Sequence, residues 1–192
     1  MTFTLVGGLD LSLTGAGMAA LGIDNHGHFG YTQTAGYDLK KPTLLDQLKR
    51  IDFVRERVLD FLDGLGSVDL IFIEEMPYHA KGTAVHQLSA LWHSVAGEIA
   101  RRGIPLARVN VSSLKIYATG KGTGVDKDEV MLAIARRYPD IAVANNNEAD
   151  AFGLAAMAAR KLGHPIEESL PQTHLRAMEK VEEPWNEQLD GA

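Results

Sequence analysis

Three carboxylates stand where a folding chain does not leave a charge without a partner. Asp10 interrupts the apolar stretch FTLVGGLDL at 3–11, Glu74 closes the run LIFI at 70–73, and Asp150 opens an Ala-rich segment. Burying an ionised carboxylate is costly unless it is paired or binds a cation. Hard divalent cations such as Mg²⁺ take oxygen ligands and keep waters for reaction. Two such ions about 4 Å apart activate a water and stabilise the leaving oxygen in phosphodiester cleavage. That chemistry needs no nucleophilic side chain. Each acid, taken singly, also has a plainer reading. Asp10 could cap the following turn through Ser12 or Thr14. Glu74 and Glu75 could simply mark where a strand surfaces. Asp150 could favour a helix start for its dipole, with Asn145 to Asn147 offering caps.

The elements that carry these acids are what make them a set. Residues 3–11, 17–23 and 28–35 read as three strands joined by short turns, an antiparallel meander. Leu44, Leu45, Leu48, Ile51, Val54, Val58 and Leu62 recur at helical spacing, so about 43–63 is an amphipathic helix. The segment 68–73 is a central strand buried on both faces. A helix over 84–102, a short strand at 106–109, a Gly-rich loop at 120–124 and helices over 126–138 and 147–162 follow. The order βββαβαβαα predicts an α/β fold with a mixed sheet. In such sheets ligands bind at the C-terminal strand edge, where Glu74 lies. Strand residues alternate faces, so only one of Glu74 and Glu75 shares a face with Asp10. On a helix, Asn147 and Asp150 share a face, and a small-residue helix packs close to a sheet.

The whole chain sets limits. Its 192 residues suit one domain with some extra, and 45% hydrophobic content supports a core. With no cysteine, disulfides, thiolate metal sites and a Cys nucleophile are excluded. No apolar run approaches a membrane span, and the N-terminus lacks a basic leader, so a soluble, cytoplasmic protein is expected. The net charge of -6 disfavours phosphate contacts at first sight. Residues 164–192 hold seven acids against two bases, however, which leaves 1–163 near neutral. That polar, Pro-containing stretch is expected to be an acidic tail that packs partly or not at all. Truncation at Gly163 is expected to leave the metal site intact.

With the acids and elements in place, a family resemblance becomes visible. The segment GLDLSLTGAG at 8–17 resembles the first motif of RuvC-type Holliday junction resolvases, and IFIEE at 71–75 their second. VSSLKIYATGKGTGVDKDEV at 111–130 is similar to their lysine-bearing segment, and NEADAFGLA at 147–155 to their final motif. The motifs occur in order over roughly 4–162, with wording closer to phage-encoded members than to bacterial ones. The resemblance implies an RNase H-like fold: a mixed five-stranded sheet with three antiparallel N-terminal strands and flanking helices, as a nuclease domain over 1–163. It implies a homodimer that nicks four-way or otherwise branched DNA, forks and flaps included, in the cytoplasm (the host's, if phage-encoded). It places Asp10, Glu74 and Asp150 on ligands for two Mg²⁺ ions, with Mn²⁺ as an alternative. Lys115 and Lys127 fall on lysines that contact DNA or the scissile phosphate, Lys127 among the catalytic groups. One position departs: where bacterial enzymes carry a fourth carboxylate, this chain has Asn147. Glu148, next to it, is the other candidate for that corner.

Secondary features follow the same logic. Tyr78 could stack on a base beside the second motif. Lys121 and Lys127 flank a glycine loop suited to lie on a DNA backbone, and Ser12 and Thr14 lie beside Asp10 where they could touch DNA. The loop lacks the GxxxxGK[ST] pattern, so it is no NTP-binding P-loop. Trp92 reads as core on the helix expected to pair with its copy. His79, His86 and His93 lie two helical turns apart, too far for joint ligation. Two other functions remain open: a non-catalytic junction binder, favoured by Asn147, and an ATP-using enzyme of the sugar-kinase or actin-like type. The latter needs a second domain that 192 residues do not supply.

Overall fold

Alternation along two parallel strands decides which acids can meet. A computed structural model describes residues 3–76 and 83–185. The sheet has the order β3-β2-β1-β4-β5, built from β1 (Thr4–Asp10), β2 (Ala16–Asp24), β3 (Gly27–Ala35), β4 (Leu70–Glu74) and β5 (Leu106–Val109). The first three strands are antiparallel, as the meander requires, and β1, β4 and β5 run parallel. Helices α1 (Leu44–Leu65) and α2 (Thr83–Arg101) cover one face. Helices α3 (Val111–Thr119), α4 (Lys127–Arg137) and α5 (Asn146–Lys161) cover the other. The mixed sheet and flanking helices are those expected from the sequence.

On β1, Leu5 and Leu9 join the core under α1 and α2, while Val6 joins the core under α5. On β4, Ile71 and Ile73 face the first of these and Leu70 and Phe72 the second. Parity therefore places both Asp10 and Glu74 on the α5 face, and Glu75 on the other. Leu9 pairs with Ile73, so Asp10 and Glu74 lie one step further along adjacent parallel strands. Helix α5 reaches the sheet because glycines clear its path. A Cβ on Gly8 would lie 2.0 Å from the Ala151 carbonyl oxygen, and one on Gly17 would lie 2.0 Å from that of Asn147. The Ala-rich composition read from the sequence thus serves close helix–sheet packing.

Two segments differ from expectation. Residues 111–119, assigned no element from the sequence, form α3, capped by Asn110, whose side chain accepts from the Ser112 amide. Residues 164–185 are packed rather than loose. The Glu167 carboxylate, its side chain 4% exposed, accepts hydrogen bonds from Tyr117, Tyr138 and Arg160. Ala177 and Val181 are buried in the α5-side core, Glu182 pairs with Arg108, and Trp185 bridges to Leu106 on the edge strand β5. Three of the acids that made this stretch look solvated, Glu167, Glu182 and Glu183, are matched to Arg160, Arg108 and Lys161. Removing one partner of a buried charged network costs about 3–5 kcal/mol. Glu167→Ala is therefore expected to lower stability by roughly that amount, read as a shift in the urea midpoint. A shift equal to that of an exposed substitution such as Glu168→Ala would show that the segment contributes nothing.

Candidate metal centre

The C-terminal edge of the parallel strands gathers the predicted acids. Asp10 ends β1, Glu74 ends β4, and Asp150 lies in the first part of α5, which rests on β1 and β2. Asp10 and Asp150 are each only 7% exposed. None of the three carboxylates accepts a hydrogen bond or forms an ion pair among the described residues. The capping alternative for Asp10 is not realised: Ser12 closes that turn itself, its hydroxyl accepting from the Gly15 amide at 2.9 Å, and Thr14 is exposed.

Charge crowding is visible in the proton affinities. Burial, partly offset by Lys127, pushes Asp10 up to about 6. Burial and then the Asp10 charge push Asp150 up to about 7, with Lys127 and Lys115 pulling the other way. Glu74 is pushed up to about 9 by burial and then by the charges of Asp10 and Asp150. Lys127 stands at the first turn of α4, whose start is fixed by the reciprocal Asp126–Glu129 capping box. Lys115 on α3 donates to the Val125 carbonyl at 2.7 Å and so props the glycine loop. Lys121 is exposed on that loop. Tyr78 and His79 lie outside the described residues.

Glu148 and Asn147 take different roles. The Glu148 carboxylate accepts from the Thr32 and Thr34 hydroxyls, the Ala144 amide and the Asn145 side chain. Burial alone would raise it, but these donors hold it below its ordinary value. The sequence offered Glu148 as a further ligand; in the structure, two residues before Asp150, it lies roughly 200° around the helix and bonds toward β3. Asn147 instead seats its amide nitrogen above Gly15, 2.7 Å from where a Cβ would stand. Trp92 packs against the core, and its indole N–H donates to the Glu74 carbonyl at 2.8 Å, tying down the end of β4. Glu75, on the opposite face, accepts from Asn110. The Trp92 tether was not legible in the sequence, because an indole donor to a carbonyl leaves no mark in periodicity.

The donor set fits a hard cation: oxygen ligands, buried, and without competing hydrogen bonds. Among the described residues the three acids share one edge and feel one another's charge, but no three His, Cys, Asp or Glu form a ready-made metal-holding group. Asp10, Glu74 and Asp150 are the residues that would hold such a cation. The metal-free protein then has a definite pH dependence. A carboxylate whose folded value is raised binds its proton more tightly folded than unfolded. Its contribution is fully present at low pH and is lost as pH rises from the ordinary carboxylate value, near 4, through the raised one. Glu148 and Glu167, held low, act oppositely, and their contribution is lost only as pH falls below the carboxylate range. In chelator, the melting temperature is expected to fall steadily between about pH 5 and 9. Mg²⁺ should restore more at the alkaline end, where the ligands are ionised. A melting temperature that rises over this interval in chelator would contradict the crowded, buried arrangement.

The fold class is that of RuvC-like, RNase H-like proteins. The Thermus thermophilus RuvC structure has a TM-score of 0.64 at 18% identity, covering 84% of this chain and 98% of that one. The T. thermophilus RuvC in complex with Holliday junction substrate has a TM-score of 0.63 at 16% identity, covering 84% of this chain and 97% of that one. No protein-family model matches the chain, and no curated protein matches it in sequence. At such identities the likeness establishes the fold. Among the described residues no helix is long and apolar enough to cross a membrane.

Proposed function

We propose that this protein is a metal-dependent endodeoxyribonuclease that cleaves Holliday junctions and other branched DNA. The observation that carries the reading is two buried carboxylates, Asp10 and Asp150, and a half-buried third, Glu74, all without hydrogen-bond partners among the described residues and brought to one strand edge of a RuvC-like fold by β1, β4 and α5. Mg²⁺ bound there supplies water activation and charge stabilisation for phosphodiester hydrolysis. Asp10, Glu74 and Asp150 are its ligands. Lys127, exposed and beside all three, is placed to hold the scissile phosphate, and Lys115 and Lys121 to follow the backbone. Ser12, Thr14 and Tyr78 remain DNA contacts in this proposal. Residues 1–163 are the catalytic unit, and 164–185 strap α3, α4 and α5 together. A second copy would pair through α2, which turns His86, Ala90 and His93 outward. The motif wording supports a phage origin and so a host cytoplasm.

Asn147 favours a second reading, a junction binder without chemistry. One assay separates the two: cleavage of junction, fork and linear duplex DNA in Mg²⁺ or Mn²⁺. Metal-dependent nicks on branched DNA support the nuclease, whereas tight junction binding with no product in either metal supports the binder. Lys127→Ala should slow cleavage and reduce the salt slope of junction binding by about 1. An unchanged slope would remove Lys127 from the phosphate.

A further inference from the structure

The loop that leaves β3 carries two exposed lysines, Lys40 and Lys41. We propose that this pair is a second phosphate-binding point, outside the carboxylate edge, which holds a duplex arm of the DNA on the flank opposite α3. The proposal rests on the nuclease reading and adds where its substrate lies.

Topology brings the loop beside the site. Asp10 pairs with Gly17 and Gly17 with Thr34, so β3 ends level with Asp10. Two strand spacings put the exit of β3 roughly 10 Å from β1. Gly36 seats the loop there: a Cβ on it would lie 2.6 Å from the Thr14 carbonyl carbon and 2.6 Å from the Gly15 amide nitrogen. The loop therefore packs on the turn that follows Asp10. Its other end is fixed by Thr43, which caps α1 reciprocally with Asp46. In the order β3-β2-β1-β4-β5 the loop leaves one outer strand, whereas α3, with Lys115, follows the other. The two groups of lysines thus flank the carboxylates from opposite sides.

The charges of the pair are free. Neither Lys40 nor Lys41 forms an ion pair among the described residues. The acids of the same stretch are turned to the backbone: Asp38 accepts from the Leu39 amide at 2.8 Å and Asp46 from the Thr43 amide at 3.0 Å. Lys41 has a φ of 50°, and among the described residues it is the non-glycine with a positive φ. L side chains disfavour that region, and a residue before proline, here Pro42, is confined further to extended backbone. Glycine would suit this backbone better. What lysine adds is a charge that the chain itself does not meet. Tyr37 stands edge-on to Phe53 at 5.4 Å and stiffens the stem of the loop. A phosphate backbone crossing the carboxylate edge is the partner of matching charge that continues onto this loop.

Junction binding in chelator, titrated at several salt concentrations, tests the pair. The double variant Lys40→Ala/Lys41→Ala is expected to bind more weakly and to flatten the slope of log affinity against log salt by about 2, each phosphate contact contributing about 0.9. At saturating junction in Mg²⁺ it should cleave at the wild-type rate, with the loss confined to KM. Lys41→Gly relieves the positive φ, so it should melt no lower than wild type and still flatten the slope by about 1. An unchanged slope in the double variant, with wild-type junction binding intact, would overturn the proposal and leave the nuclease reading standing. So would a Lys41→Gly protein that keeps the wild-type slope, or a double variant that cleaves more slowly at saturation with unchanged affinity. Wild type that neither binds nor cuts branched DNA would overturn both readings.

Discussion

Asp10→Asn is expected to lower junction cleavage on the order of 10³-fold, the scale of removing one group that stabilises developing charge. The amide keeps the size of the side chain and an oxygen donor. It removes a negative charge from the one acid on the strand that borders both β2 and β4. Junction affinity should stay near wild type, because the proposed phosphate contacts are lysines and not this acid. Folding should not suffer either. Asp10 is 7% exposed with burial pushing its proton affinity up, so replacing it relieves an unfavourable charge. The metal-free variant is therefore expected to melt higher than wild type at about pH 8, the familiar trade of stability for an active site. Single-turnover cleavage, junction titration and thermal melting check the three parts. Cleavage at the wild-type rate would remove Asp10 from the site.

Gly8→Ala is expected to be the most damaging methyl addition in the sheet, and Gly7→Ala, one residue earlier, nearly harmless. The Gly8 Cβ would meet the Ala151 carbonyl oxygen at 2.0 Å and the Ala155 amide at 2.6 Å, both backbone atoms of α5. The Gly7 Cβ would come no closer than 3.2 Å to the Ile71 side chain and 3.7 Å to the Ala19 carbonyl oxygen. A side chain can rotate away, but a helix must translate. Overpacking of this kind costs about 1–3 kcal/mol and sometimes more. Because α5 carries Asp150, the shift also moves this proposed ligand relative to Asp10 and Glu74. Gly17→Ala should act likewise, through its 2.0 Å approach to the Asn147 carbonyl. Loss of metal affinity with Gly8→Ala but not Gly7→Ala, at matched folding, is the expected signature. Equal stability of the two variants would mean that α5 does not lie on β1 as described.

Much of the site was legible because acids at strand ends are conspicuous against apolar runs. The choice between Glu74 and Glu75 was not, since Leu70 to Ile73 are apolar on both faces and carry no parity signal. Only the register with β1, where Leu9 meets Ile73, settles it. Glu148 was equally ambiguous in sequence. Its partners Thr32 and Thr34 lie more than a hundred residues away, although their alternation on β3 placed both on one face. Helix α3 was hidden because Ser112, Ser113 and Thr119 dilute its apolar spacing. The Asn110 cap was the available signal. The segment after Gly163 misled through composition, which registers that Glu167, Glu182 and Glu183 are charged but not that Arg160, Arg108 and Lys161 await them.

The central claim is that these three acids make a metal-dependent, structure-selective nuclease. Incubating the wild-type chain with a synthetic four-way junction and its matched linear duplex, with Mg²⁺ and with chelator, tests it most directly. Nicks near the branch point of the junction in Mg²⁺, none in chelator, and little cutting of the duplex are expected. Cleavage that persists in chelator, or that treats junction and duplex alike, would contradict it.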